Sequence, residues 1–290
     1  MPLDRADAIE DVAARLALEL IEARAGVELR LGEVAEIVFW IDSSIGEDAL
    51  ARTRAAVRAL GKSGCPVDDS RVVMRAAIPE SEWRDAWKRY FRTVRLTRQI
   101  VVVPSWDRHA AGPDDRVVHL DPGQAFGTGA HGSTQLCLLA LQGLADQGFE
   151  PGTVIDFGTG SGILAIASAL FWPDATITAI DNDPLAVQAC GENAERNQLQ
   201  TRIAASEALL DQHGDPFDLV LANIQREVLL EVADQLAGRV AAGGHLVLSG
   251  LLAEQVHEVA AAYLARGLAD LVIATSEDGV WASAHLHRPS

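Results

Sequence analysis

The chain has 290 residues, enough for about two domains with a sizeable core, and its 49% hydrophobic and 22% charged composition is that of a globular protein rather than a disordered or fibrous one. A formal charge of −17, from 24 Lys and Arg against 41 Asp and Glu, argues against a general nucleic-acid binder or a partner of anionic membranes, since both need a basic footprint. Cys65, Cys137 and Cys190 have neither a disulfide pattern nor zinc-ligand spacing, and no run approaches the roughly 18 uncharged apolar residues of a membrane helix, so a reduced, cytoplasmic protein without metal or membrane span is expected.

The first residues carry acids throughout and lack the basic start of a signal peptide. Ile9, Val12, Leu16, Leu20 and Ala23 recur at three and four, which predicts an amphipathic helix over residues 4–23. Val27 to Leu31 and Ala35 to Ile41 have strand composition, and 46–60 returns to helical spacing, so residues 1–78 form a small α+β unit expected to bind a substrate rather than react with it. Residues 79–120 are expected to link this unit to the next through a helix and a strand. Trp83, Trp87, Tyr90 and Phe91 share one face of the helix ESEWRDAWKRYF, and QIVVVP reads as the strand. Seven bases and two acids between Arg84 and Arg108 are suited either to an acidic partner or to salt bridges within the chain.

Residues 121–290 are expected to form the reaction domain. The segment DPGQAFGTGAHGST precedes the helix TQLCLLALQGL and has the composition of a loop ordered by a ligand. From Thr153 short apolar runs alternate with helices of about 10–15 residues: TVIDFG, SGILAIASALF, TITAID, PLAVQACGENAERN, RIAAS, DLVLAN, REVLLEVADQLAGRV, HLVLSG and LAEQVHEVAAAYLAR, then two late strands. This pattern predicts a doubly wound α/β sheet, which binds ligands at the carboxyl ends of its strands where the strand order reverses.

The residues just after each strand are the candidates. Gly158-Thr159-Gly160-Ser161-Gly162 forms a turn between strand and helix whose glycines let a ligand approach the backbone. Its spacing departs from the G-x-G-x-x-G of a dinucleotide enzyme. Asp181 ends the second strand, where a carboxylate can accept hydrogen bonds from both ribose hydroxyls of a nucleoside, whereas Asp183 before Pro184 has the sequence of a helix cap. Ser206 and Glu207 end the third strand near where an adenine edge would lie. Asn223 and Ile224 end the fourth, where the Asn amide oxygen and turn carbonyls can receive an amine; the alternative for Asn223 is a cap of the helix near Arg226.

In this order and spacing, DPGQAFGTGAHGSTQLCL, VIDFGTGSGILAIA, IDNDPLAVQACGENAERN, LVLANI and LVLSGLL closely resemble the ribosomal protein L-eleven methyltransferase (PrmA) family, and WRDAWKRYF with VVVPSW resembles the segment joining its two domains. The resemblance covers roughly residues 80–285 and is weakest over 1–78. Where the family usually has HPTT and GTGT, this chain has His131-Gly132-Ser133-Thr134 and Gly127-Thr128-Gly129-Ala130. The resemblance implies a seven-stranded class I methyltransferase sheet, S-adenosylmethionine as methyl donor, and lysine ε-amines and an N-terminal α-amine of a basic, large-subunit ribosomal protein as acceptors. It places cofactor contacts at Thr134, Gly158, Gly160, Asp181 and Asn223, with Phe126, Gly127 and Thr128 in a loop over the donor. Other readings are the same chemistry on a lysine of electron-transfer flavoprotein or on a small amine, or an S-adenosylmethionine-binding scaffold without activity. No general base stands out beyond His131. Residues 121–290 carry about −15 of the total charge, a field suited to attracting a basic protein.

Overall fold

The structure, a computed structural model, describes residues 26–30, 36–40, 50–55, 57–58, 92–121 and 132–290, the first two stretches as backbone alone. The chain divides into two compact units, Met1–Ala86 and Trp87–Ser290. In the first, β1 (Gly26–Arg30) and β2 (Glu36–Trp40) pair antiparallel, with Gly26 opposite Trp40 and Arg30 opposite Glu36. Both strands fall on the two runs of strand composition, and residues 50–55 and 57–58 are helical. The helices expected over 4–23 and around Trp83 to Phe91 lie outside the described residues.

The second unit opens with a small sheet in which β3 (Val94–Arg95) pairs antiparallel with β4 (Ile100–Val103), and β4 pairs parallel with β5 (Arg116–His119). The composition did not announce β5, because a four-residue run whose only apolar members are Val117 and Val118 is too short to show alternation; its partner 16 residues upstream makes it a strand. Ile100, Val102, Val118 and Leu120 are buried in the same core as the helices that follow. Among the described bases of this stretch, Arg95 pairs with Asp115 at 2.7 Å and Arg98 with both Asp146 oxygens at 2.6 and 2.8 Å.

Helix α1 (Gly132–Asp146) leads to the large sheet. Its strands are β6 (Thr153–Phe157), β7 (Thr176–Ile180), β8 (Ile203–Ser206), β9 (Phe217–Asn223), β10 (Val240–Leu252), β11 (Ala269–Thr275) and β12 (Trp281–His287). Between them lie α2 (Ile163–Phe171), α3 (Pro184–Arg196), α4 (Arg226–Glu231), α5 (Ala233–Gly238) and α6 (Val256–Leu264). The order is β11-β12-β10-β9-β6-β7-β8, with β12 antiparallel to both its neighbours and the remaining pairs parallel. This is the seven-stranded α/β sheet expected. The middles of its parallel strands are largely apolar because both faces are covered. Val154, Leu219, Leu221 and Val247 face the layer of α1, α2 and α3, while their neighbours Ile155, Val220, Ala222, Leu246 and Leu248 face α4, α5 and α6. Among the described residues no helix is long and apolar enough to cross a membrane.

The segment REVLLEVADQLAGRV, expected as one helix, is two, broken at Val232. The buried Tyr263 hydroxyl donates to the Leu229 carbonyl at 2.8 Å, taking the acceptor that the Ala233 N–H would use in a continuous helix.

Three histidines meet at the end of the sheet remote from the strand carboxyl termini. His245 Nδ1 lies 3.0 Å from His285 Nε2, the His245 and His287 rings are 5.0 Å apart, and the edge-on Phe149 ring packs against His245. Burial, then the neighbouring imidazoles, push His245 down to about 4, and His285 is lowered for the same reasons. The unfolded chain therefore takes up these protons first. Stability held by the neutral cluster is complete above about pH 6.5 and is lost as pH falls toward 4. Asp156, raised to about 6 by burial, contributes with the opposite sign, because the folded state keeps its proton between the ordinary carboxylate value and 6. The histidine contribution is thus read as a difference. Allowing for the partial exposure of His245, wild type should lose about 1–2 kcal/mol more than His245→Leu between pH 7.5 and 5 in urea unfolding. Equal losses in the two proteins would show that His245 does not titrate with unfolding.

Candidate active site

The chain runs β6 to β7 to β8 toward one edge of the sheet and β9 to β10 toward the other, so the order reverses between β6 and β9. A crevice at the carboxyl ends of these two strands is where such a sheet accepts a ligand. After β6 the chain enters α2 through Gly158, Gly160 and Gly162, all left-handed with φ of 73°, 54° and 82°. The N–H groups of Gly158 and Thr159 donate to the Ile180 carbonyl at 2.9 and 3.1 Å, tying the turn to the end of β7.

The next residue is Asp181. One of its carboxylate oxygens accepts from Gly160 N–H at 2.9 Å and the other from Asp183 N–H at 3.0 Å, so the side chain is fixed beside the glycine turn. Each carboxylate oxygen has a second lone pair, which leaves acceptor capacity for hydroxyls. Asp183 takes the separate role expected of it, accepting from Leu185 N–H at 2.9 Å as the N-cap of α3 with Pro184 at the first helical position.

Beneath the turn lies Asp156, which is fully buried. Its Oδ2 accepts from Thr159 Oγ1 at 2.7 Å and from Ala165 N–H at 3.2 Å, while its Oδ1 has no hydrogen-bond partner. Burial pushes the carboxyl up to about 6, with the nearby Asp181 charge adding to the rise. An orphaned acceptor under a turn of left-handed glycines, with a second carboxylate beside it, fits a ligand that carries cationic and hydroxyl groups. The S-adenosylmethionine implied by the sequence, with its sulfonium, ammonium and ribose, has those groups. Nothing along the chain marks Asp156 as short of a donor, since that depends on what surrounds it.

Across the crevice, Asn223 closes β9 opposite Ser249 of β10. It does not cap the following helix, whose N-cap is Gln225. Its Nδ2 donates to Thr134 Oγ1 at 3.2 Å, a contact between residues 89 apart in the chain. With the amide nitrogen turned to the buried Thr134, the half-buried Asn223 has its Oδ1 to offer to an incoming donor. Ile224 follows, its N–H donating to the Ser249 carbonyl at 3.2 Å and its Cγ2 occupying the space a side chain at Gly158 would fill. Thr134, Asn223, Ile224 and Gly158 therefore touch in sequence, and the glycine turn continues the series to Gly160 and Asp181. Phe126, Gly127, Thr128 and His131 lie outside the described residues. Trp281, absent from the sequence candidates, stands at the start of α1, where a side chain at Gly132 would come within 2.9 Å of Trp281 Cδ1. No local pattern marks it, because β12 reaches α1 only through the sheet order.

A family model described as ribosomal protein L11 methyltransferase (PrmA) matches residues 21–289, extending well N-terminal of the motifs quoted above. A ribosomal protein L11 methyltransferase of Geobacter sp. (strain M21) is 43% identical over 189 residues, 64% of this chain and 61% of that protein. The alignment thus spans less than two thirds of that relative's length. The protein of the same name from Pelotomaculum thermopropionicum is 36% identical over 254 residues, 83% of this chain and 80% of its own. Among solved structures, a ribosomal protein L11 methylase from Lactobacillus delbrueckii subsp. bulgaricus superposes with a TM-score of 0.62 at 32% identity, over 69% of this chain and 100% of that one.

Proposed function

Because the chain belongs to the ribosomal protein L11 methyltransferase family, we propose that it moves methyl groups from S-adenosylmethionine to lysine ε-amines, and to an N-terminal α-amine, of a large-subunit ribosomal protein in the cytoplasm. The observation that supports this reading is the run of contacts from Thr134 through Asn223 and Ile224 to the glycine turn and Asp181, which brings these residues together at the carboxyl ends of neighbouring strands.

S-adenosylmethionine, when bound, supplies an electrophilic methyl on a sulfonium, and the remaining tasks belong to the protein. Asp181 receives the ribose hydroxyls, pre-aligned by its bonds to Gly160 and Asp183. Gly158 and Gly160 bring backbone close to the donor, Thr134 holds the Asn223 amide, and the family resemblance adds Phe126, Gly127 and Thr128 as donor contacts. Asn223 Oδ1 accepts an N–H of the amine and aims its lone pair along the line of transfer. Ile224 presents an apolar wall that strips water from the amine. A lysine must give its ammonium proton to solvent before it reacts, its ordinary value is near 10.4, and desolvation favours the neutral form. Residues 1–78 select the protein substrate in this reading, and the acidic reaction unit draws in its basic surface.

Tritium-labelled S-adenosylmethionine added with the purified protein to a lysate of cells lacking it tests the proposal. The expected result is one labelled protein band, identified as a ribosomal protein of the large subunit. A label on electron-transfer flavoprotein or on a small amine would replace the substrate assignment, and donor binding without any label would leave a scaffold.

A further inference from the structure

β10 does not run evenly past the site. Leu248 lies opposite Ala284 of β12, but Leu251 lies opposite Ala282, so β10 carries one extra residue across Ser249 and Gly250. Gly250 is left-handed at φ +81, and a Cβ there would stand 2.5 Å from the Ile224 carbonyl oxygen and 2.9 Å from its carbonyl carbon and nitrogen. These are backbone atoms that cannot swing aside, so the Asn223–Ile224 turn sits as deep as it does because residue 250 has no side chain. Ser249 is fully buried, and its carbonyl accepts from Ile224 N–H. Its hydroxyl donates to the Ser133 carbonyl at 3.0 Å, with the Ala282 carbonyl 3.4 Å away. Ser133 immediately precedes Thr134, the residue that holds the Asn223 amide.

We propose that the Ser249–Gly250 bulge is the positioning element of the acceptor site, setting Asn223 and Ile224 from one side and Thr134 from the other. Neither residue touches the reacting atoms in this account, and both act through Asn223. A bulge suits the task because it re-aims one strand locally while the rest of the ladder stays in register. The proposal rests on the methyl-transfer reading of the same site.

Two substitutions and a control test it. Gly250→Ala should lower kcat about 10²-fold, and Ser249→Ala about tenfold, with the Kd for S-adenosylmethionine within about twofold of wild type. Gly243→Ala is the control: Gly243 is also left-handed, at φ +74, but a Cβ there meets only the Ser290 hydroxyl at 3.5 Å, so it carries the same backbone penalty and displaces nothing. Its kcat should stay within about twofold of wild type. A second readout needs no substrate. The side-chain amide resonances of Asn223, identified by their loss in Asn223→Ala, should shift in Gly250→Ala and Ser249→Ala and stay in place in Gly243→Ala. Ser249→Ala, which adds no volume, decides alone if Gly250→Ala does not fold. Unmoved Asn223 resonances, or an equal loss of kcat in Gly243→Ala, would overturn the proposal. If wild type methylates no ribosomal protein while the resonances shift as expected, the substrate reading fails and the positioning role stands.

Discussion

Asn223→Ala should reduce kcat for methyl transfer by about 10²-fold while the protein keeps its fold. Asn223 ends the central strand β9 opposite Ser249, and its amide nitrogen is committed to Thr134 at 3.2 Å. The oxygen is thereby held in one orientation before any amine arrives. Removing it takes away one hydrogen bond to a nucleophile that gains positive charge as the new bond forms, worth about 1.5–3 kcal/mol, and also the alignment that the bond provides. The half-buried position carries little of the core, so unfolding should shift by no more than about 1 kcal/mol. Single-turnover rates at saturating donor and acceptor are the measurement. Thr134→Val, which removes the acceptor of the amide hydrogens, should move the rate in the same direction by a smaller factor. A single-turnover rate for Asn223→Ala equal to wild type would remove Asn223 from the chemistry.

Asp181→Ala should weaken S-adenosylmethionine binding by about 10²–10³-fold. Two hydroxyl hydrogen bonds to an ionised acceptor are worth about 1.5–3 kcal/mol each before overlap, and the substitution also frees the Gly160 and Asp183 N–H groups that Asp181 now holds. Asp181→Asn separates these contributions. It keeps an acceptor of the same shape but loses the charge and turns an amide toward one of the two N–H donors, so an intermediate affinity is expected. Titration calorimetry gives the Kd, and thermal unfolding of the same samples reports whether the glycine turn survives. Wild-type affinity in Asp181→Ala would refute the ribose assignment.

Much of the site could be read along the chain because its signals are local. Asp183 and Pro184 form a cap and first helical position within a few residues, and a cap needs nothing from the rest of the fold. Gly158, Gly160 and Gly162 mark a turn between a strand and a helix by their own conformational freedom. Asp181 could be singled out because its place after the second strand follows from counting elements. The helix break at Val232 could not, since its cause is a tyrosine hydroxyl from α6. Nor could the histidine cluster, whose members come from β10 and β12 and meet only through antiparallel pairing.

The amino-acid sequence by itself determined the alternation of strands and helices, the acidic character of the C-terminal half, the position of the glycine turn and the family resemblance. Each of these rests on periodicity, composition or spacing, which are properties of neighbouring residues. Only the tertiary structure decided that Asn223 faces Thr134 instead of capping a helix, that Asp156 is left with an unpartnered oxygen, and that a bulge at Ser249 and Gly250 sets the depth of the Ile224 turn. These depend on which strands lie side by side and on which donors burial leaves within reach. Hydrogen bonds and close approaches are satisfied in space, and here their partners lie tens of residues apart along the chain.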